Sequence, residues 1–142
     1  MADKLTLAVR MYCMGLGDCF LLRFGTAEGP FNMLVDCGMF VGSPGLEKRL
    51  SRVVEDIKEA SGGTIHLLLV THQHYDHLSG FMVDAPRALW EGREHGGIDI
   101  ERVWMGWTEE EHGLGGQVRE AYKGRAKRLR EFLRTLKERD TP

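Results

Sequence analysis

Thr71-His72-Gln73-His74-Tyr75-Asp76-His77-Leu78-Ser79-Gly80 holds three of the chain's six histidines within six residues. The run Ile65-His66-Leu67-Leu68-Leu69-Val70 leads into it and predicts a central strand, buried on both sides. A chain leaving a strand in extended form puts residues i and i+2 on the same side, so His72 and His74 can aim at one point. Asp76 and His77 follow after the chain has turned and reach a second point nearby. Three neutral imidazole nitrogens and one carboxylate suit zinc, and also iron or manganese. Two ions side by side allow a bridging water, whose pKa falls toward neutrality. The segment starting near Leu78-Ser79-Gly80 is expected to open a helix, with free amides that assist anion binding. Packing alone gives a histidine no reason to recur three times in six residues at the end of a buried strand.

Upstream, Leu5, Leu7, Val9 and Met11 alternate with Thr6, Ala8, Arg10 and Tyr12, which predicts a half-buried strand over 4–12. After the turn Gly15-Leu16-Gly17-Asp18, the apolar run Cys19–Phe24 predicts a strand covered on both faces. Residues 25–30 form a loop of hairpin length, and a third strand runs from Phe31 to Asp36, closed by Cys37-Gly38. The period then changes. Ser43-Pro44 starts a helix, Leu46, Leu50, Val53, Val54 and Ile57 follow at helical spacing, and Gly62-Gly63 stops it.

Downstream, Leu78 to Trp90 is expected to be helical, limited or kinked by Pro86. Glu91 to Gly97 reads as a loop and Arg102–Trp107 as a strand. A long helix is expected over Gln117–Arg139, with nine basic residues against three acidic ones. That charge suits a solvated face or, more sharply, a phosphate-facing surface. The order of elements gives an α/β fold, a mixed sheet with flanking helices.

At 142 residues, 42% hydrophobic and 28% charged, the chain is sized for one domain with a real core. Its net charge of −2 argues against wholesale affinity for nucleic acid. No apolar run approaches the about 20 residues that span a bilayer. Met1–Leu5 lacks a signal-peptide pattern, so a cytoplasmic location is expected. Cys13, Cys19 and Cys37 are odd in number and lack CxxC spacing, which predicts three buried reduced thiols. His66 is expected to play a core or hydrogen-bonded role, and His95 and His112 to be surface residues.

The pattern His72-x-His74-x-Asp76-His77, entered from an apolar strand and preceded by Leu34-Val35-Asp36-Cys37-Gly38, resembles the metallo-β-lactamase superfamily over roughly residues 5–107. Met14-Gly15-Leu16-Gly17-Asp18-Cys19-Phe20-Leu21 is similar to the Gly-x-Gly-Asp-Ala turn of one branch. That branch includes the hydrolase domain of bacterial DNA-uptake (competence) proteins and phosphodiesterase-like proteins. The resemblance implies an αββα sandwich with metals, zinc foremost, at the edge between two sheets. It implies His72 and His74 on one metal and Asp76 and His77 on the other. It also implies Asp36 behind the loop as hydrogen-bonding support, and Asp18 near the site mouth.

The activity implied is a metal-dependent hydrolase of an ester-type bond, with Asp76 orienting the nucleophile. The branch-like turn and the basic helix favour a phosphodiester, whether a small molecule or a nucleic acid. Alternative readings are a non-haem iron redox protein on the same scaffold, or a catalytically incomplete half-domain that binds or assembles. A complete superfamily domain has a second half, which supplies two further histidines and a bridging aspartate. Here His95, His112, Asp84, Asp99 and Asp140 are all that follow His77, and none ends an apolar strand. The expectation is therefore an N-terminal half of a longer enzyme, or a chain whose site a second copy completes. An exposed apolar sheet face would accompany either.

Overall fold

The alternating N-terminal residues pair into an antiparallel meander. β1 (Thr6–Met11), β2 (Phe20–Thr26) and β3 (Gly29–Val35) join in the register Val9↔Leu22 and Leu22↔Met33. The computed structural model describes residues 6–106 and Glu120. The chain divides into two compact units, Met1–Met105 and Gly106–Pro142. All elements described here lie in the first; in the second, Glu120 is helical and exposed. The expected basic helix over 117–139 otherwise lies outside the described residues, as do Trp107 and His112.

The amphipathic run becomes α1 (Leu46–Ser61), with Leu50, Val54 and Ile57 fully buried. Its cap is Gly45 in the left-handed region, two residues beyond the expected Ser43, and Gly62 ends it as a left-handed glycine. β5 (Leu67–Val70) then pairs parallel with β3, and β7 (Val103–Met105) parallel with β5. The result is a five-stranded mixed sheet in the order β1-β2-β3-β5-β7.

Several expectations are corrected. The strand expected over Ile65–Val70 breaks at His66. There the Asn32 N–H donates to His66 Nδ1 and the His66 N–H to Asn32 O, both at 2.9 Å. That exchange lets β4 (Thr64–Ile65) leave the main sheet and pair with β6 (Asp99–Ile100). His66 itself has the hydrogen-bonded role expected of it and stacks on Phe31 at 5.1 Å. The six-residue hairpin loop shrinks to Ala27-Glu28, because pairing continues to Thr26↔Gly29. Cys13 is exposed, whereas Cys19 and Cys37 are buried.

Burial across the sheet also departs from expectation. β1 is exposed along its whole length rather than half-buried, and β2, expected to be covered on both faces, is buried only at Leu21. Leu21, Leu34, Leu68 and Val70 face the core with α1. On the opposite face, pairing aligns Leu7, Val9 and Met11 with Phe24, Leu22 and Phe20, then with Phe31, Met33 and Val35. Leu69 and Trp104 continue this row. The β1 residues on it are 53%, 59% and 71% exposed, and those of β2 and β3 are half-buried.

Helices after the histidine stretch also differ from expectation. α2 (Tyr75–Met82) begins three residues before Leu78, and α3 (Asp84–Ala88) follows a break at Val83. Pro86 sits within α3, so the break precedes it. A short 3₁₀ turn, Arg93–His95, interrupts the expected loop. No helix among the described residues is long and apolar enough to cross a membrane.

Candidate metal centre

Parallel pairing of β3 and β5 brings their C-terminal ends together, with the Asp36 N–H donating to Leu69 O at 3.0 Å. Asp36 turns off the strand at φ 51°, a conformation that costs a side-chain-bearing residue about 1–2 kcal/mol. Its carboxylate is 1% exposed and collects three donors. These are the Thr71 N–H at 2.8 Å, the Thr71 hydroxyl at 2.6 Å and His77 Nδ1 at 2.9 Å. Charge-assisted bonds of this kind contribute about 1.5–3 kcal/mol each, enough to offset the strained turn.

This network fixes the protons on two histidines. A carboxylate only accepts, so His77 Nδ1 carries a hydrogen, and in a neutral ring Nε2 keeps the lone pair. The single proton of the Thr71 hydroxyl goes to Asp36. His72 Nδ1, 3.0 Å from that hydroxyl, therefore donates to it, which in a neutral ring leaves Nε2 of His72 with the lone pair as well. Carboxylate support of this type orients metal-binding imidazoles in general.

The three rings cluster. His72 and His77 lie 3.8 Å apart between centroids, and His72 and His74 meet edge-on at 4.5 Å. His74 precedes α2, while Asp76 and His77 occupy its first turn. Asp76 Oδ2 stands 3.8 Å from His77 Nε2. Two donors on one tetrahedral zinc stand roughly 3.3 Å apart, given bonds of about 2.0–2.1 Å, so this pair is close to ligand spacing. As the side chains stand, the described residues contain no group of three or more His, Cys, Asp and Glu converged on one point. The donor chemistry suits a divalent metal, and the side chains rest in contact with one another rather than around a common centre.

Asp18 lies at the open side, its Oδ2 3.7 Å from His77 Nδ1 and its side chain half exposed. The amides of Leu78 to Gly80 lie inside α2 and do not form its N-terminus, which corrects the expected anion-binding position. The Gly80 N–H instead donates to Cys37 O at 2.8 Å. His95 is exposed in its 3₁₀ turn.

Two residues carry structural work that the sequence reading did not assign. Thr71 links Asp36 to His72, and its signal was a hydroxyl placed between strand end and first histidine. Ser79, fully buried, accepts the Met39 N–H at 2.8 Å and donates to Met39 O at 3.2 Å. It thereby clamps α2 to the segment after Asp36. Gly38 completes the clamp: a Cβ there would collide with the backbone carbonyl of Asp76.

The family model of the metallo-beta-lactamase superfamily matches residues 15–83, a span that contains Asp18, Asp36 and the whole histidine stretch. The match is to the superfamily and does not distinguish its branches. No curated protein and no solved structure gives a significant match. Members of the superfamily are generally metal-dependent hydrolases. Residues 15–83 are thus similar to the metallo-beta-lactamase superfamily, and the five-stranded mixed sheet with its helices is consistent with a fold of that kind.

Proposed function

We propose that the chain supplies the metal-holding corner of a hydrolase acting on an ester-type bond, with a phosphodiester preferred. His72 and His74 would hold one divalent ion, and Asp76 with His77 a second. Zinc is the first choice, and manganese or iron are accepted by the same donors. The observation that supports this most is the hydrogen bonding from Asp36, directly to His77 and through Thr71 to His72, which leaves Nε2 of both neutral rings free to bind. A bound ion supplies Lewis acidity and makes hydroxide available near neutral pH.

The chain's own residues have separable tasks in this reading. Asp36 holds the imidazoles in one tautomer and keeps the loop from swinging. Asp76 orients the attacking water through its carboxylate and accepts its proton. Asp18, at the open side, meets the polar part of the substrate. Two donors per ion fall short of the three that a catalytic site uses. Further donors would come from another segment of the protein or a second copy. A cytoplasmic setting suits the free thiols.

Zinc binding tests the reading. Equilibrium dialysis should show zinc taken up by the chain and lost on gel filtration into metal-free buffer. The His72→Ala/His74→Ala variant should bind at least about tenfold more weakly. Turnover of a bis-aryl phosphate, a thioester and a lactam, each with zinc or manganese, then sorts the bond type. Unchanged zinc uptake by the double variant would remove the histidines from the site. An iron chromophore in protein purified without added metal would move the reading to redox chemistry.

A further inference from the structure

We infer that the hairpin end of β2 and β3 carries a binding site for a quaternary ammonium group, in which Phe24, Phe31 and Met33 receive the methyl shell and Glu28 meets the charge. The site lies at the other end of β3 from Asp36 and does not depend on the hydrolase reading.

Strand alternation builds the walls. Phe24 and Phe31 stand directly opposite each other in the antiparallel register. Thr26 and Met33, each two residues away from one of them, share their face. The two rings are 6.2 Å apart between centroids and inclined at 60°. With the turn residues Ala27 and Glu28 these side chains line a cavity of about 640 Å³. That is within the range of small-molecule sites.

Both the walls and the lip are held in place. The His66 ring stacks on Phe31 at 5.1 Å, and its Nδ1 accepts the Asn32 N–H. Asn32 is buried and donates its amide hydrogens to Ser61 O and Thr64 O, each at 2.9 Å. At the lip, the Thr26 hydroxyl donates to Gly29 O at 2.6 Å and accepts the Glu28 N–H at 3.3 Å. Glu28 is thereby fixed in the turn as the single charged residue lining the cavity. Among the described residues its carboxylate has no ion pair.

This composition selects the ligand. The carboxylate repels anions. A primary ammonium or a metal ion would lose tightly held water to an apolar wall that cannot replace it. A quaternary ammonium spreads its charge over methyl groups that fit such a wall. It is attracted to aromatic rings as well as to the carboxylate.

The test uses the full chain without metal and three probes at one ionic strength: choline, its uncharged isostere 3,3-dimethylbutan-1-ol, and ethanolammonium. Binding is followed by the methyl NMR signals of Met33 and Ala27. Choline should shift both and bind at least about fivefold more tightly than either other probe. Glu28→Gln should lose about threefold of the choline affinity and leave binding of the alcohol unchanged. Phe31→Leu keeps an apolar wall without the ring and should lose about fivefold for choline. Thermal unfolding checks the fold of both variants, and should Phe31→Leu not fold, the probe comparison and Glu28→Gln decide.

Equal affinity for choline and the uncharged alcohol would overturn the site, because charge would then play no part. Ethanolammonium binding as tightly as choline would do the same, because a carboxylate alone would then suffice. Choline binding left unchanged by Glu28→Gln would remove the charge partner and with it the proposal. Methyl shifts that follow protein concentration rather than probe would assign the surface to a second copy and overturn it too. Zinc uptake by Glu28→Gln should equal that of the wild type, so the hydrolase reading and this site stand or fall separately.

Discussion

The two faces of the five-stranded sheet are almost equally apolar and have opposite fates. Leu21, Leu34, Leu68 and Val70 pack against α1 and are nearly inaccessible. Leu7, Val9, Met11 and Trp104 sit on the other face of the same strands and are more than half exposed. Hydrophobicity therefore does not decide burial here; the presence of an amphipathic layer does. A strand with apolar residues on both faces is the pattern of a sheet covered twice, and α1 covers one face.

Truncation in the covered layer tests the comparison most strongly. Leu34→Ala should cost about 2–5 kcal/mol, since a fully buried leucine loses both its transfer energy and its packing. Urea unfolding at pH 7 measures this. A loss below about 1 kcal/mol would mean that the layer against α1 is loosely packed, and the contrast between the faces would fail.

How much of this was legible depends on the range of the interactions involved. α1 could be read because its apolar stripe and terminal glycines are local signals. The histidine corner could be read because its residues lie within one short stretch. The break at His66 could not, because it depends on Asn32, 34 residues away. The start of α2 was misplaced because its cap, His74, makes no side-chain capping bond. Alternation in β1 revealed two faces but not what lies on either, so the strand was expected to be half-buried. Asp36 was placed behind the loop from its position in a motif. Only the geometry gives its three donors and the proton positions that follow.

The covered layer ends at Asp36, where the comparison passes from apolar packing to a buried charge. Asp36→Asn keeps the shape and tolerates the positive φ, but its NH₂ group cannot accept from Thr71 or His77. The expected cost is about 1–3 kcal/mol from donors left unpaired. Zinc affinity should fall about 10–100-fold if the histidines bind metal. Unfolding and dialysis on the same variant separate the two effects. A stability loss with unchanged zinc affinity would confine Asp36 to a structural role.

A smaller effect lies where β1 meets α1. Tyr12 and Arg10 both donate to Asp56 Oδ2 at 2.6 Å. Burial, reinforced by the bond to Asp56, raises the Tyr12 phenol above its usual range. The Tyr12 hydrogen bond, joined by Arg10, lowers the Asp56 carboxyl. A phenol raised on folding contributes stability that is complete below about pH 10, its unfolded value, and is withdrawn as pH rises further. The lowered carboxylate acts in the other direction: its contribution is complete above about pH 4 and lost as pH falls through the folded value. Tyr12→Phe should cost about 1 kcal/mol at pH 7 and flatten the alkaline loss. Unfolding near pH 7 and pH 10.5 checks both. An unchanged alkaline slope would place the sensitivity elsewhere.

The smallest effect on stability should come from the open face, and it is the sharpest test of the contrast. Val9→Lys and Met11→Lys place charges on positions that are already mostly solvated, so each should change stability by no more than about 0.5 kcal/mol. Yet they interrupt two apolar rows of that face, Val9 with Leu22, Met33 and Leu67, and Met11 with Phe20, Val35, Leu69 and Trp104. Binding of an apolar dye and self-association by sedimentation should both fall, because these depend on contiguous exposed area and not on the core. The edge position of β1 strengthens the effect, since a lysine on an edge strand also opposes strand-to-strand addition. If the double variant unfolds as readily as Leu34→Ala does, the open face is a second core whose cover the native protein already carries. If it unfolds like the wild type and loses dye binding, one face makes the fold and the other awaits a partner layer.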